Sequence, residues 1–384
     1  MKTPFPAGIA LLVTGMAASA QQPAADTTKS APPSASTAVD FSGVLFANFQ
    51  YRGDKGRSKS QNKFDLERVY LTFRAQPGER VTIRITADVF QQTSAANDAF
   101  YRGWVIRAKY AYLQYDLIKN RSWTTSIRGG LLHNVVIDHI ESFWPRWLSP
   151  SPVDRSGFFS SADAGIAGLL TLPKKWGEFY ATVVNGPGYT SRETDRFKDY
   201  AARLSITPLS AASIRLIQTL TLTGWTYVGA VGSSFADGVG QTAPVGSSLP
   251  RTRAGLFVGL RDPRLSAGVE WDTRKDGGEI GDNTPASPRI EFDSTGRLVA
   301  GFVAIKPLQL LRPGSRFPLG VVGRWDRLTP NTQTRGFVDT IIAGLTWDLD
   351  KKTAVSIDYQ EQSPRFGASL PAAKTYFVHL LASF

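Results

Sequence analysis

From Val39 to Phe384, apolar and polar residues alternate in short runs punctuated by Gly, Pro, Asp and Asn. Residues 79–90 (ERVTIRITADVF) are the clearest case. Val81, Ile83, Ile85, Ala87 and Val89 share one face of an extended chain, and Arg80, Thr82, Arg84, Thr86 and Asp88 share the other, because successive side chains of a strand point to opposite sides. Residues 353–360 repeat the pattern, with Val355, Ile357 and Tyr359 opposed to Ala354, Ser356, Asp358 and Gln360. No sustained period of 3.6 residues interrupts it, so the pattern predicts an all-β chain.

Soluble sandwiches also alternate. Number, length and rhythm separate the two cases. About sixteen candidate strands centre near 45, 69, 85, 111, 127, 167, 181, 203, 217, 256, 268, 301, 321, 343, 356 and 379, each close to the ~9–11 residues that cross a bilayer at a tilt. Short links at 76–79, 120–122, 173–177, 208–211, 261–264 and 349–352 alternate with long ones around 135–161, 186–196, 229–250, 273–296, 328–335 and 361–373. Short periplasmic turns alternating with long extracellular loops predict a transmembrane antiparallel β-barrel. The link at 306–316 is longer than this rhythm predicts. An even number of strands places both ends of the barrel on the periplasmic side. At the end of the chain Tyr376, Val378, Leu380, Ala382 and Phe384 form one apolar face. Tyr115, Trp271, Trp325, Trp347 and Tyr359 fall on apolar faces near strand ends, as an interfacial aromatic girdle requires.

The segment before the alternation has a different character. Lys2 followed by an apolar run from Ala7 to Ala18 and the small residues Ala18-Ser19-Ala20 predicts an export signal over 1–20, since the run is too short to span a bilayer. Residues 21–38, rich in Pro, Ala, Ser and Thr, predict a disordered periplasmic tether. The barrel then occupies 39–384.

Composition narrows the chemistry. The chain has no cysteine and three histidines, so neither disulfides nor a cysteine metal site is available. His133 and His139 are six apart, not a usual metal spacing, and no G-x-S-x-G elbow or phosphate-cradling Gly loop is present. No enzyme, cofactor or metal is expected. Lys and Arg number 44 against 32 Asp and Glu, a net charge of +12. For an exported chain this excess argues against nucleic acid and for anionic solutes, outer-membrane lipid and lipopolysaccharide as partners.

Four segments carry a family likeness: FDLERVYLTF (64–73), IRGGLLHNVVIDHIESFWPRWLSP (127–150), SADAGIAGLL (161–170) and VVNGPGY (183–189). In this order they resemble the phosphate-selective porin O and P family of the bacterial outer membrane. The resemblance implies a sixteen-stranded homotrimeric porin with anion preference, phosphate or polyphosphate among its solutes, and a third outer loop that folds inwards.

Strand parity assigns Arg68, Arg74, Arg80, Arg84, Arg128, Arg203, Arg215, Arg253 and Arg324 to the lumen, because a charge on the lipid face at midplane costs ~2–4 kcal/mol. Guanidinium stays charged and offers planar donors to phosphate or carboxylate, so these arginines are the candidate anion path. The same parity sends Asp88, Asp116, Asp163, Glu270, Asp272, Asp326 and Asp358 inwards, where some arginines would brace the wall instead. In the inward loop at 135–160, Arg146 and Arg155 are the candidate constriction cations, faced by Asp138, Glu141 and Asp154. Two readings follow: an outer-membrane porin for small anions, and a narrow or plugged barrel with a structural or adhesive role through the loops at 229–250 and 273–296.

Overall fold

A computed structural model describes residues 38–53, 61–91, 103–120, 123–232, 248–281, 286–287 and 290–384. The export signal and almost all of the tether lie outside the described residues. The first half of the barrel comprises β1 (Val39–Arg52), β2 (Gln61–Gly78), β3 (Val81–Gln91), β4 (Trp104–Lys119), β5 (Thr124–His133), β6 (Ala162–Thr171), β7 (Gly177–Val184) and β8 (Asp199–Ile206). The second half comprises β9 (Thr221–Gly232), β10 (Ser248–Asp262), β11 (Leu265–Ile280), β12 (Ile290–Ile305), β13 (Leu319–Thr329), β14 (Phe337–Asp348), β15 (Thr353–Phe366) and β16 (Ala373–Ser383). Each strand pairs antiparallel with its sequence neighbours, and β1 pairs with β16 from Val44↔Ser383 to Arg52↔Thr375, closing a barrel of 16 strands. A two-residue ladder, Ala368–Ser369, folds back on the end of β15. Closure leaves no unpaired edge, a requirement for any sheet surrounded by lipid.

The barrel is apolar outside and polar inside. Ile106, Ile166, Val269, Ile357, Val378 and Leu380 project outwards and are exposed, whereas Asp88, Asp116, Asp272, Asp326, Asp358 and His379 are buried on the inner face. A water-soluble sandwich would invert this order. Trp271, Trp325 and Trp347 stand on the outer face, where an interfacial girdle belongs.

Several expectations are corrected. The strand expected near 217 lies at 221–232 instead, and 207–220 is a link between β8 and β9 with a 3-10 turn at Ile217–Thr219. The sequence ITPLSAASIRLIQT keeps apolar residues but no strict alternation, so it has no face to give the lumen. The segment 273–296 is mostly not a loop: β11 and β12 pair up to Ile280↔Ile290, a hairpin extended beyond the belt. Much of 229–250 lies outside the described residues, although β9 and β10 occupy its two ends. The long link at 306–316 contains a short helix, α3 (Pro307–Leu311), opened by Pro307, whose fixed φ suits a first helical turn.

Residues 134–161 fold into the lumen. Asn134 accepts the amides of Val136 (2.8 Å) and Ile137 (3.3 Å), opening α1 (Ile137–Glu141), and Pro152 opens α2 (Pro152–Arg155). Val136, Ile137, Ile140, Trp144, Leu148, Val153 and Phe158 are each at most 2% exposed. They pack on Phe257, Leu298, Phe302 and Ile342 of the inner wall, at about 1.5–3 kcal/mol for each large side chain buried. The hydrophobic core of this barrel is therefore the seat of one loop. Its carbonyls are met by the wall: Ser266 Oγ donates to Phe143, Gln360 Nε2 to Leu148 (2.9 Å), Arg324 Nη1 to Pro150 and Arg274 Nη1 to Gly157 (3.2 Å). Such pairing is what permits irregular backbone at membrane depth.

Candidate functional site, the lumen at the inserted loop

The inserted loop covers the wall from β9 to β16 and faces the opposite wall, β2 to β5, across the remaining lumen. Two β-bulges shape that second wall. Phe46 pairs with Arg68 and Ala47 with Leu66, so Glu67 is the extra residue and both Glu67 and Arg68 reach the interior. Thr86 pairs with Tyr110 and Ala87 with Ala108, which leaves Lys109 as the extra residue beside Tyr110, both of them buried. An extra residue turns two successive side chains to one side and inverts the phase of the alternation beyond it. Gly130 permits close approach here: its φ is +128°, and a Cβ would stand 2.2 Å from the Ala111 carbonyl oxygen.

Arg68, Arg84, Arg107, Lys109 and Arg128 project from this wall beside the loop. Arg68 and Arg107 share Asp88, at 3.2 and 3.1 Å, and Arg107 lies between the rings of Phe90 (3.8 Å) and Tyr189 (4.5 Å). Lys109 Nζ donates to the Tyr70 hydroxyl at 3.1 Å. Arg84 lies over the Tyr110 ring and donates to His133 Nε2 at 2.7 Å, and Arg128 donates to Gln114 Oε1 at 2.8 Å. Among the described residues neither Arg84 nor Arg128 forms a salt bridge.

The loop presents acids to them. Asp138 accepts the Tyr110 hydroxyl at 2.7 Å. With its Nε2 accepting from Arg84, His133 is a neutral imidazole, so its 3.4 Å approach to Asp138 is a contact without a shared proton. Glu141 pairs with Arg146 at 3.1 Å, and Arg146 reaches Glu67 at 2.9 Å. Burial pushes the Glu141 carboxyl up to about 7, against the pull of Arg146 and Lys109. Burial also raises Asp154, with Arg146, Lys109 and Arg68 opposing. The Arg146 guanidinium, between two carboxylates, is held above its ordinary range despite burial. Named together, Arg68, Arg84, Arg107, Lys109, Arg128 and Arg146 exceed the acids Glu67, Asp88, Asp138, Glu141 and Asp154 by one charge, before protonation of Glu141 widens the difference.

The other arginines expected in the lumen divide in two. Arg203, Arg253 and Arg324 are buried and neutralised: Arg203 by Glu178, Arg253 by Asp276 at 2.9 Å, and Arg324 by Asp326. Arg324 also stacks on Trp144, so it clamps the loop. Arg74 faces inwards opposite Arg84 and Asp40 and is exposed. Arg80 and Arg215 are not on strands. Arg80 occupies the turn between β2 and β3, and Arg215 the link that replaces the expected strand near 217; both are exposed. Arg155 is also displaced. It turns away from the loop acids towards β15, donating to Ser149 Oγ (2.8 Å) and Gln360 Oε1 (3.1 Å). Strict alternation gives Lys109, Arg107 and Glu67 no place in the lumen, because parity counted across a bulge is inverted; the adjacent Lys109-Tyr110 is the visible break.

The remaining motifs serve the scaffold. In VVNGPGY, Gly186 and Gly188 adopt φ of +117° and +83°, and their amides donate to Asp163 Oδ2 at 2.7 and 3.2 Å. Tyr189 then accepts from Arg107 at 2.9 Å. His139 shares a hydrogen bond with Thr223 Oγ1 at 2.8 Å, and burial with Arg203 and Arg261 nearby brings its pKa down to about 2, so it is a neutral anchor.

No protein-family model matches the sequence, and neither does any curated protein. Solved structures do. OmpF of Salmonella typhi, in complex with daunomycin, is similar over 90% of this chain and 97% of its own, at TM-score 0.59 and 12% identity. An anion-selective porin from Comamonas acidovorans is similar over 91% and 100%, at TM-score 0.59 and 10% identity. OmpT of Vibrio cholerae lacking loop L8, an outer-membrane protein, follows over 91% and 99%, at TM-score 0.55 and 11% identity. At these identities the likeness is one of fold: this chain has the porin fold. It extends to general and anion-selective porins and does not single out the phosphate-selective porin O and P family.

Proposed function

We propose that this chain is a bacterial outer-membrane porin, giving small anions passive diffusion through a lumen narrowed by the loop at 135–160. The observation that carries the reading is the pair Arg84 and Arg128, charged and, among the described residues, without an acidic partner, beside Lys109 and opposite the loop acids. Rings of basic side chains attract anions while weak, multiple contacts let them leave. Arg203, Arg253 and Arg324 brace the wall, and Arg68, Arg84, Arg128 and Arg74 belong to the anion path. Phosphate and polyphosphate are candidate solutes by sequence resemblance, and the planar donors of Arg128 suit either. The exposed apolar belt supports a lipid environment, and the resemblance supports a homotrimer. The lumen chemistry needs no cofactor and no catalytic residue.

Single-channel reversal potential in a potassium chloride gradient tests the reading. Reversal towards the chloride equilibrium potential is expected. Cation preference would overturn the anion path and leave a porin; folded, membrane-extracted protein that forms no channel would favour the structural or adhesive barrel.

A further inference from the structure

On the extracellular side of the inserted loop, the inner wall encloses a second cavity of about 540 Å3, within the ~300–1,000 Å3 typical of small-molecule sites. Part of its lining is apolar. Leu328 and Val338 come from the outer ends of β13 and β14, Pro364 from β15, and Leu370 and Pro371 from the last outer loop. That loop is folded over the cavity by the ladder pairing Arg365↔Ser369 and Phe366↔Ala368. Polar rims of Thr340 and Gln362 complete it.

The floor carries one cation, Arg155, at the end of α2. Its Nη1 is committed to Ser149 and Gln360. Among the described residues its Nε and Nη2 have no hydrogen-bond partner and no carboxylate pairs with it. Asp326 also lines the cavity but is occupied, because Arg324 donates to both of its oxygens, at 2.8 and 3.0 Å from Nε. Burial and the neighbouring Arg324 bring the Arg155 guanidinium down to about 10, with Asp326 and Glu67 opposing. An arginine serving only as a loop brace would need neither the apolar enclosure nor a free fork.

We propose that this cavity binds an amphipathic monocarboxylate, one with a compact apolar body such as a ring or branched chain. The carboxylate takes the free Nε and Nη2 of Arg155 in a bidentate pair, and the body rests on Leu328, Val338, Pro364 and Leu370. The carboxylate site uses Arg155 and none of Arg84, Lys109 and Arg128, the cations that carry the proposed selectivity.

The test is calorimetric titration of the folded, full-length protein in detergent with benzoate, acetate and benzyl alcohol, alongside the variants Arg155→Gln, Arg155→Lys and Leu328→Asn. Folding is checked for each by circular dichroism. Benzoate is expected to bind at least tenfold more tightly than acetate, which lacks the body, or benzyl alcohol, which lacks the charge. Arg155→Gln and Leu328→Asn each lose at least tenfold, and Arg155→Lys, which keeps the charge but not the two-pronged fork, falls between wild type and Arg155→Gln. Equal binding of benzoate and acetate, or unchanged benzoate binding in folded Arg155→Gln, would overturn the proposal. Loss of channel activity in bilayers would instead count against the porin reading and leave this result standing.

Discussion

Replacing Arg84 with Gln removes one fixed charge from the lumen without disturbing an ion pair, since its partners are His133 Nε2, Thr86 Oγ1 and the Tyr110 ring. A permeating monovalent ion passing ~6 Å from that guanidinium in pore water (ε ≈ 80) interacts with it by ~0.7 kcal/mol, from Coulomb's law. Screening at ~0.1 M salt, with a Debye length of ~10 Å, reduces this to ~0.4 kcal/mol. The term favours an anion and disfavours a cation by the same amount. The anion-to-cation permeability ratio should therefore fall by ~0.8 kcal/mol, or about fourfold at 25 °C. The assay is the reversal potential of single channels in a tenfold potassium chloride gradient, wild type against Arg84→Gln, repeated at ~1 M salt, where the Debye length of ~3 Å should nearly abolish the difference. Little destabilisation is expected, because no buried carboxylate loses its partner. A permeability ratio unchanged at low salt would refute the placement of Arg84 in the ion path. An equal change at both salt concentrations would refute the electrostatic account and indicate altered pore shape.

The buried arginines behave differently. Arg324→Ala strands Asp326, which is 3% exposed, and releases the Pro150 carbonyl; a loss of about 3–5 kcal/mol, seen as a lower thermal midpoint and a noisier open channel, is expected, and an unchanged midpoint would sink the clamp assignment. The carboxyl of Glu141 rises from 4.5 to about 7 in the fold, so between these values the folded state holds a proton that the unfolded chain has released. Stability should then fall as pH rises from 4.5 to 7, and anion preference should weaken as Glu141 ionises between about pH 6 and 8. Glu141→Gln should flatten both profiles, measured by thermal melts and reversal potentials across that range, and an undiminished slope in the variant would reassign the titrating group.

Strand existence, the lipid and lumen faces, and the closing aromatic strand were legible in the sequence, because alternation is a local property: each residue's face follows from its neighbour's by geometry alone. Val81 to Val89 and Tyr376 to Phe384 needed no distant information. The inward acids Asp88, Asp116, Asp272, Asp326 and Asp358 followed from the same parity. Where alternation was interrupted, the same logic failed, at Ile206–Leu220 and at the bulges that bring Glu67 beside Arg68 and Lys109 beside Tyr110 into one lumen. A bulge costs one residue of register, and which residue is extra depends on the partner strand, not on the chain that carries it.

Sequence by itself thus determined the barrel, its two faces and the sign of its charge. Tertiary structure alone decided which charges are free. Arg84 and Arg324 each point inwards from an alternating strand, yet Arg324 meets Asp326 and a loop carbonyl while Arg84 meets a neutral imidazole, the Thr86 hydroxyl and a ring. Arg155 likewise parted from Asp138, Glu141 and Asp154 once the loop took its path across the lumen. The physical reason is that a strand's face is set by its own backbone, whereas the neutralisation of a charge is set by what the closed barrel and the loop bring within a few ångströms of it.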